Sequence, residues 1–357
     1  MVQFIYNLAL IVEAKRIYRT ASDLRGENNT MLTNHTNNNF DNAHKPLMAK
    51  WVEDFRPFAQ EGKCASYIPA LAQKDPQQLA ISIIGTNSEE LSGGDVTELF
   101  TLQSVSKVVT FILACMDRGL SYVLERVDVE PTGDTFNSII RLESHQPGKP
   151  FNPMINAGAI TVSSMLAGNS PQEKVSKILT FLEQMVGKQL KVNEEVFQSE
   201  WQTAHRNRSL AYYLMDSGFL DCPVEEALEV YLRQCAIEVN VSDLAMIGLV
   251  IANDGYHPLS KTQLFPKQVA KLAKALMVTC GMYNASGKFA AFIGLPAKSG
   301  VSGAIVAAVP SHAGLDSPFP AGCGIGIYGP AIDDIGNSVA GVKLLKHLTD
   351  EWNMTIF

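Results

Sequence analysis

Charge is scarce in this chain: 18% of its 357 residues are Asp, Glu, Lys or Arg, the formal net charge is −7, and no run of lysines or arginines occurs. Nucleic acid and anionic membrane surfaces are bound through clustered positive charge, so neither is expected as a partner. Cysteine is sparse too. The six residues Cys64, Cys115, Cys222, Cys235, Cys280 and Cys323 are scattered, without Cys-x-x-Cys pairs or histidines at zinc-ligand spacing. That pattern argues against a disulfide framework and a zinc site, and the thiols read as reduced core residues of a cytoplasmic protein. Long hydrophobic runs are missing as well. The apolar opening, Met1 to Val12, is well short of the roughly 18 residues that cross a bilayer, and it lacks the basic flank and cleavage site of a secretory signal.

What is present is apolar content, 46% of the residues, enough to bury a large core in one domain or two. The first 47 residues stand apart. A charged stretch, Glu13 to Arg25, is followed by Glu27 to Asn42, a polar segment with seven asparagines and little to bury. We expect that stretch to be disordered. Residues 2–20 could form an amphipathic helix that meets a membrane surface or a partner. The simpler expectation is a non-essential extension from an upstream start, with Met31 or Met48 beginning the working protein.

The densest chemical signal is Ser104-Val105-Ser106-Lys107, which runs straight into an apolar helical stretch, Val108 to Met116. Three residues make almost one helical turn, so Ser104 and Lys107 share a face. A serine becomes a nucleophile when a base takes its proton, and an amine serves as that base when burial keeps it neutral. Val105, Val108, Val109, Ile112 and Met116 supply an apolar stripe, while Phe111, Ala114 and Cys115 leave the opposite side apolar too. The amides of a first helical turn could stabilise an oxyanion. The plain alternative is a capping serine and a solvated lysine. A second element, Lys298-Ser299-Gly300-Val301-Ser302-Gly303, opens an apolar strand over residues 304–309. Such a Lys-Ser/Thr-Gly strand accompanies Ser-x-x-Lys in β-lactamases and penicillin-binding proteins. It would set a positive charge across the pocket and offer a second oxyanion donor; alternatively, Lys298 is an ordinary strand-edge lysine. None of the seven histidines lies beside the serine, so no Ser-His-Asp triad and no metal is assigned.

Residues 48–72 read as one or two helices, and 79–84 as a strand. Turns at residues 86–88 and 92–95 bound a returning strand, making a hairpin before the Ser104 helix. The middle, about 117–290, reads as mostly helical: 171–186, 224–237, 242–253 with Ser242 as its cap, and 265–280. Gly187 and Gly255 fall where C-caps belong. Strands return at 304–309 and 322–328, and 339–352 closes the chain as a helix. The fold class is therefore α/β (α+β), with one sheet completed by N- and C-terminal segments and flanked by helices.

These residues resemble the serine-dependent glutaminase family, whose fold is β-lactamase-like with an antiparallel sheet. The resemblance covers about Trp51 to Trp352 and rests on Tyr67-Ile68-Pro69, Leu102 to Lys107, Glu130 to Gly133, Asn152 to Ile160, Phe197 to Glu200, Cys280 to Tyr283 and Leu295 to Val301. It implies an extension over residues 1–47 and a single catalytic domain over 48–357. The ankyrin repeats of animal members are absent. It further implies Ser104 as the acylated nucleophile, Lys107 as its base, and Tyr67 and Tyr283 as phenols near the reacting centre. Tyr283 is a candidate proton relay. The amides of Ser104 and Val301 would form the oxyanion hole. Asn156, Glu200, Asn207 and Tyr231 would hold the amino acid end of L-glutamine, with Lys298, Ser299 and Gly300 in support. Glutamine's ammonium needs an anion, which Glu200 supplies, and its carboxylate needs donors such as Asn156 and tyrosine hydroxyls. Taken singly, each of these residues has a structural reading: Asn156 as a turn residue, Asn207 and Glu200 as solvated side chains, the tyrosines as core aromatics. The implied reaction gives L-glutamate and ammonia without a cofactor, in a homodimer or homotetramer. Two rivals are a β-lactamase or D-alanyl peptidase on the same scaffold, and a sensor that is acylated once without turnover.

Overall fold

The computed structural model describes residues 44–144, 148–314 and 317–357. The expectations for residues 2–20 and 27–42, and for a start at Met31, lie outside the described residues. Residues 48–357 cluster as one compact unit.

Three short apolar runs build the centre of the sheet. β1 (Ala80–Gly85), β4 (Ala304–Val309) and β5 (Cys323–Tyr328) are buried along their whole length, which is why they read as continuous rather than alternating hydrophobic stretches. With β2 (Glu90–Gly94) and β3 (Ala297–Ser299) they form a five-stranded antiparallel sheet in the order β2-β1-β5-β4-β3. The last strand in sequence is thus the middle strand in space. β1 and β4 flank it, with Ala80 and Ala304 both opposite Tyr328. The sheet is completed by N- and C-terminal segments, as expected.

Helix α7 (Val241–Ala252) lies across β5, β1 and β4. The approach is close because β5 presents glycines on that face: a methyl group on Gly324 or Gly326 would overlap the backbone of α7 at Ala245 or Val241. On the opposite face, α9 (Val339–Glu351) brings Gly341 against Ile327. Helices therefore cover both faces of the sheet.

The helical middle is also as expected in outline. α1 (Ser106–Arg118), α2 (Asn156–Met165), α3 (Pro171–Val186), α4 (Glu194–Thr203), α5 (His205–Asp216), α6 (Val224–Cys235) and α8 (Lys267–Cys280) pack about α1, α2 and α6. Several boundaries differ from the sequence reading. The 92–95 turn does not form; Ser92, Gly93 and Gly94 pair with β1 as part of β2. Helix α7 is capped by Asn240, whose side chain accepts from the Asp243 amide in a reciprocal capping box, so Ser242 is the second residue of the helix. Residues 48–72 break into a helix, a 3-10 turn (Arg56–Glu61) and a single turn at Pro69–Ala72. Cys64 and Cys222 are half-buried rather than core thiols, though all six cysteines are free. No helix among the described residues is long and apolar enough to cross a membrane.

Candidate active site

The Ser104 segment is fixed from both sides before α1 begins. Phe100 and Thr101 pair with Val239 and Glu238, and the Leu102 amide donates to the Ile237 carbonyl at 2.9 Å. The chain then turns through a 3-10 segment, Gln103–Val105, so Ser104 precedes the α-helix instead of sitting inside it. Gln103 adopts a left-handed φ of +46°, a conformation that costs a non-glycine residue free energy and is sustained by its surroundings. Here the Ser106 hydroxyl donates to the Gln103 carbonyl at 2.7 Å, and Gly300 leaves room for the Leu102 carbonyl, 2.7 Å from where its Cβ would stand. The Lys-Ser-Gly strand β3 can therefore lie directly against the serine turn.

Lys107 is buried, 1% exposed, within a helix whose residues 106–115 are all buried. The expected stripe holds except at Met116, which is 41% exposed because the far end of α1 emerges from the core. The amine donates to Asn156 Oδ1 at 2.7 Å and to the Met154 carbonyl at 3.3 Å, and Asn156 Nδ2 donates to Asn207 Oδ1 at 2.9 Å. A neutral amine has two N–H groups and one lone pair. Both hydrogens have acceptors here, which leaves the lone pair as the free site. Burial lowers the Lys107 pKa to about 8, against smaller opposing effects of Cys235 and Glu200.

Tyr283 carries a second strained φ, +53°. Its phenol donates to the Ser299 carbonyl at 3.1 Å, and burial raises its pKa while the nearby Ser104 hydroxyl lowers it. Lys298 is fully buried, with its amine 4.4 Å from the Tyr283 ring centre and donating to Ser299 O at 2.5 Å. Burial, with Lys107 nearby, holds Lys298 well below the ordinary lysine range. The second amine is desolvated, bonded to its own strand and set against the Tyr283 ring.

A cavity of about 190 Å3 opens over Ser104. Tyr67, Ser104, Asn156, Glu200, Asn207, Tyr231 and Val301 all line it, although they come from segments spread over more than two hundred positions of the chain. Lys107, Tyr283, Lys298 and Ser299 stand behind this wall, buried. Tyr67 is half exposed at the rim, at 53%, yet its hydroxyl end is enclosed and burial raises its pKa. Burial also raises Glu200, to about 7, while a hydrogen bond from Gln103 and the charge of Lys107 pull it down. Glu200 Oε2 has no hydrogen-bond partner among the described residues. Asn156 and Asn207 are buried and bonded to each other, and Glu200 is enclosed too; the turn and solvated readings do not hold for them. The sequence reading missed Gln103, Phe136 and Arg206 among the lining residues. A lone Gln, Phe or Arg carries no periodic or motif signal. For Gln103 the one available cue was its place immediately before the serine.

The antiparallel sheet with α7 on one face and the Ser-x-x-Lys helix at its edge is the β-lactamase-like fold, and the molecule is an enzyme of that class. Comparison with known proteins narrows the class to a family. Residues 62–357 match the family described as Glutaminase, eleven positions later at the start than the sequence resemblance begins. Glutaminase 2 of Bacillus anthracis is 62% identical over 313 residues, 88% of this chain and 96% of that one. Glutaminase 1 of Bacillus subtilis (strain 168) is 60% identical over 307 residues, 86% and 94% of the two chains. A crystal structure of a probable glutaminase from Bacillus subtilis superimposes with a TM-score of 0.83 at 57% identity, covering 88% of this chain and 97% of that chain. The Bacillus subtilis glutaminase in covalent complex with 5-oxo-L-norleucine, formed by reaction with 6-diazo-5-oxo-L-norleucine, gives a TM-score of 0.80 at 54% identity over 88% of this chain and 99% of that one. The chain belongs to the glutaminase family.

Proposed function

We propose that this enzyme hydrolyses L-glutamine to L-glutamate and ammonia through a γ-glutamyl ester on Ser104. The observation that carries the mechanism is the buried Lys107 amine held by two acceptors, Asn156 Oδ1 and the Met154 carbonyl, so that its neutral form keeps a lone pair for the serine proton. In this reading Lys107 is the proton sink for the serine hydroxyl. Tyr283, whose phenol feels the nearby Ser104 hydroxyl, is the relay between serine, amine and departing ammonia. The oxyanion would be held by the Ser104 and Val301 amides, which the close packing of Gly300 on the serine turn supports. Glu200 would bind the α-ammonium and Asn156, Asn207 and Tyr231 the carboxylate end. Arg206 at the rim adds a cation that the sequence reading had not foreseen. The covalent complex of the Bacillus subtilis relative supports a nucleophilic step, since a diazoketone analogue is captured there as an adduct.

Ammonia release from glutamine, asparagine and a γ-glutamyl peptide tests the proposal. Glutamine should be turned over well ahead of the other two, a chromogenic β-lactam should not be hydrolysed, and Ser104→Ala should be inert with an unchanged melting temperature. Full turnover by Ser104→Ala would remove the mechanism. A stoichiometric burst without a steady state would replace it with the sensor. The free thiols fit a cytoplasmic setting, and a homodimer or homotetramer belongs to the same proposal.

A further inference from the structure

The loop that joins β5 to α9, residues 329–338, is closed at its base by backbone pairing. Lys63 and Ile332 exchange two hydrogen bonds, at 3.1 and 3.0 Å, and the Val339 amide donates to the Ala331 carbonyl at 2.9 Å. The tip has two backbone bonds of its own, from the Asp333 amide to the Asn337 carbonyl and from the Gly336 amide to the Asp333 carbonyl, at 2.8 and 3.1 Å. It has little packing: Asp333, Asp334 and Ile335 are exposed and border an open cavity of about 210 Å3. The tip is gathered instead by one carboxylate oxygen. Asp333 Oδ1 accepts from the amides of Ile335, Gly336 and Asn337 at 2.9, 2.8 and 2.9 Å, and hydrogen bonds to a charged acceptor are stronger than neutral ones.

What this turn delivers to the site is Gly336, at φ +110°. A Cβ there would stand 3.3 Å from Tyr283 Cε2 and 3.4 Å from Val301 Cγ1. The next residue, Asn337, reaches the Met282 carbonyl with Nδ2 at 3.4 Å, on the chain just before Tyr283. Phe136, its ring centre 5.0 Å away, and the Lys298 amine at 4.4 Å also flank the Tyr283 ring. Tyr283 holds a left-handed φ of +53°, a conformation that persists only when its surroundings impose it. We propose that Asp333, which stands outside the substrate cavity, is the positioning residue for Tyr283. By collecting three amides on one oxygen it sets the turn that seats Gly336 against the phenol ring, and so fixes where the hydroxyl stands relative to Ser104.

The inference rests on the reading of Tyr283 as the relay, and the experiment separates the two. Tyr283→Phe should lower kcat for ammonia release by about a hundredfold or more, the scale of proton transfer by a placed group; full turnover would remove that reading and this inference with it. Asp333→Ala should lower kcat by about tenfold to a hundredfold, as a displaced group does. The dissociation constant of glutamine, measured by calorimetry in a Ser104→Ala background, should change less than about twofold, because the contact bears on the reacting end alone. In the Tyr283→Phe background the Asp333→Ala change should cost less than about twofold more. An equal loss with and without the phenol would show that Asp333 acts elsewhere and would overturn the proposal. Asp333 also bears on Tyr283 by charge, which adds to the rise that burial causes in the phenol's pKa, so Asp333→Asn is the control. It keeps an acceptor oxygen without the charge and should restore most of kcat; a loss as large as that of Asp333→Ala would make the charge the cause and the turn irrelevant. Gly336→Ala puts a methyl directly on the ring and should reproduce the loss, again only when the phenol is present. It decides the matter should Asp333→Ala fail to fold, and an unchanged kcat in Gly336→Ala would sink the inference.

Discussion

Lys107 and Glu200 approach each other in titration, the amine lowered to about 8 and the carboxyl raised to about 7, both chiefly by burial. Turnover by the proposed route needs the amine neutral and the carboxylate ionised, so kcat/KM should rise with pH through 7 and level off above 8. A maximum below pH 7 would contradict the assignment. For stability the amine acts in the opposite direction from an ion-paired lysine. Between pH 8 and 10.5 the unfolded chain holds a proton that the folded one lacks, so the destabilisation present below pH 8 fades as pH rises through that window. Each pKa unit corresponds to about 1.4 kcal/mol. Lys107→Met removes that burden but strands Asn156 Oδ1, a loss of about 1–3 kcal/mol. At pH 7 we expect urea unfolding no easier than in the wild type, with ammonia release reduced about a thousandfold or more. Glu200→Gln should raise KM by a larger factor than it lowers kcat, which steady-state kinetics will show.

At the scale of elements, the fold depends on how closely α7 approaches β5. Gly324→Ala would press a methyl into the Ala245 carbonyl, and we expect a loss of about 1–3 kcal/mol, measurable as a lowered urea midpoint without a change in slope. Local rules made some elements legible. Ser170 caps α3, Pro171 opens it and Gly187 ends it at φ +77°, so its bounds follow from sequence. Others were hidden by glycines serving a different purpose. Gly93 and Gly94 resemble a turn, yet they lie in β2 because Val52 and Met48 pack where their side chains would be. The site divides in the same way. Ser104 and Lys107 are readable from spacing, and Asn156, Glu200 and Tyr231 from family blocks. Gln103 and the desolvated state of Lys298 arise from contacts between segments some two hundred positions apart.

For the whole molecule, every proposed site residue lies between Tyr67 and Val301, and the family match begins at residue 62. A chain consisting of residues 48–357 should therefore keep kcat/KM within about twofold of the full-length protein, since surface changes remote from a site usually have small effects. A larger loss would give the first 47 residues a part in catalysis. Light scattering on both forms will report whether they assemble as dimers or tetramers.

The seating of the final strand at the middle of the sheet also sets a timetable during translation. β1 leaves the ribosome early but finds its partner, residues 323–328, when nearly the whole chain has been made, and such distant pairing is slow to form. A nascent or prematurely terminated chain carries the serine, the amine and the carboxylate without the frame that aligns them. Incomplete products of synthesis are thereby kept from consuming substrate.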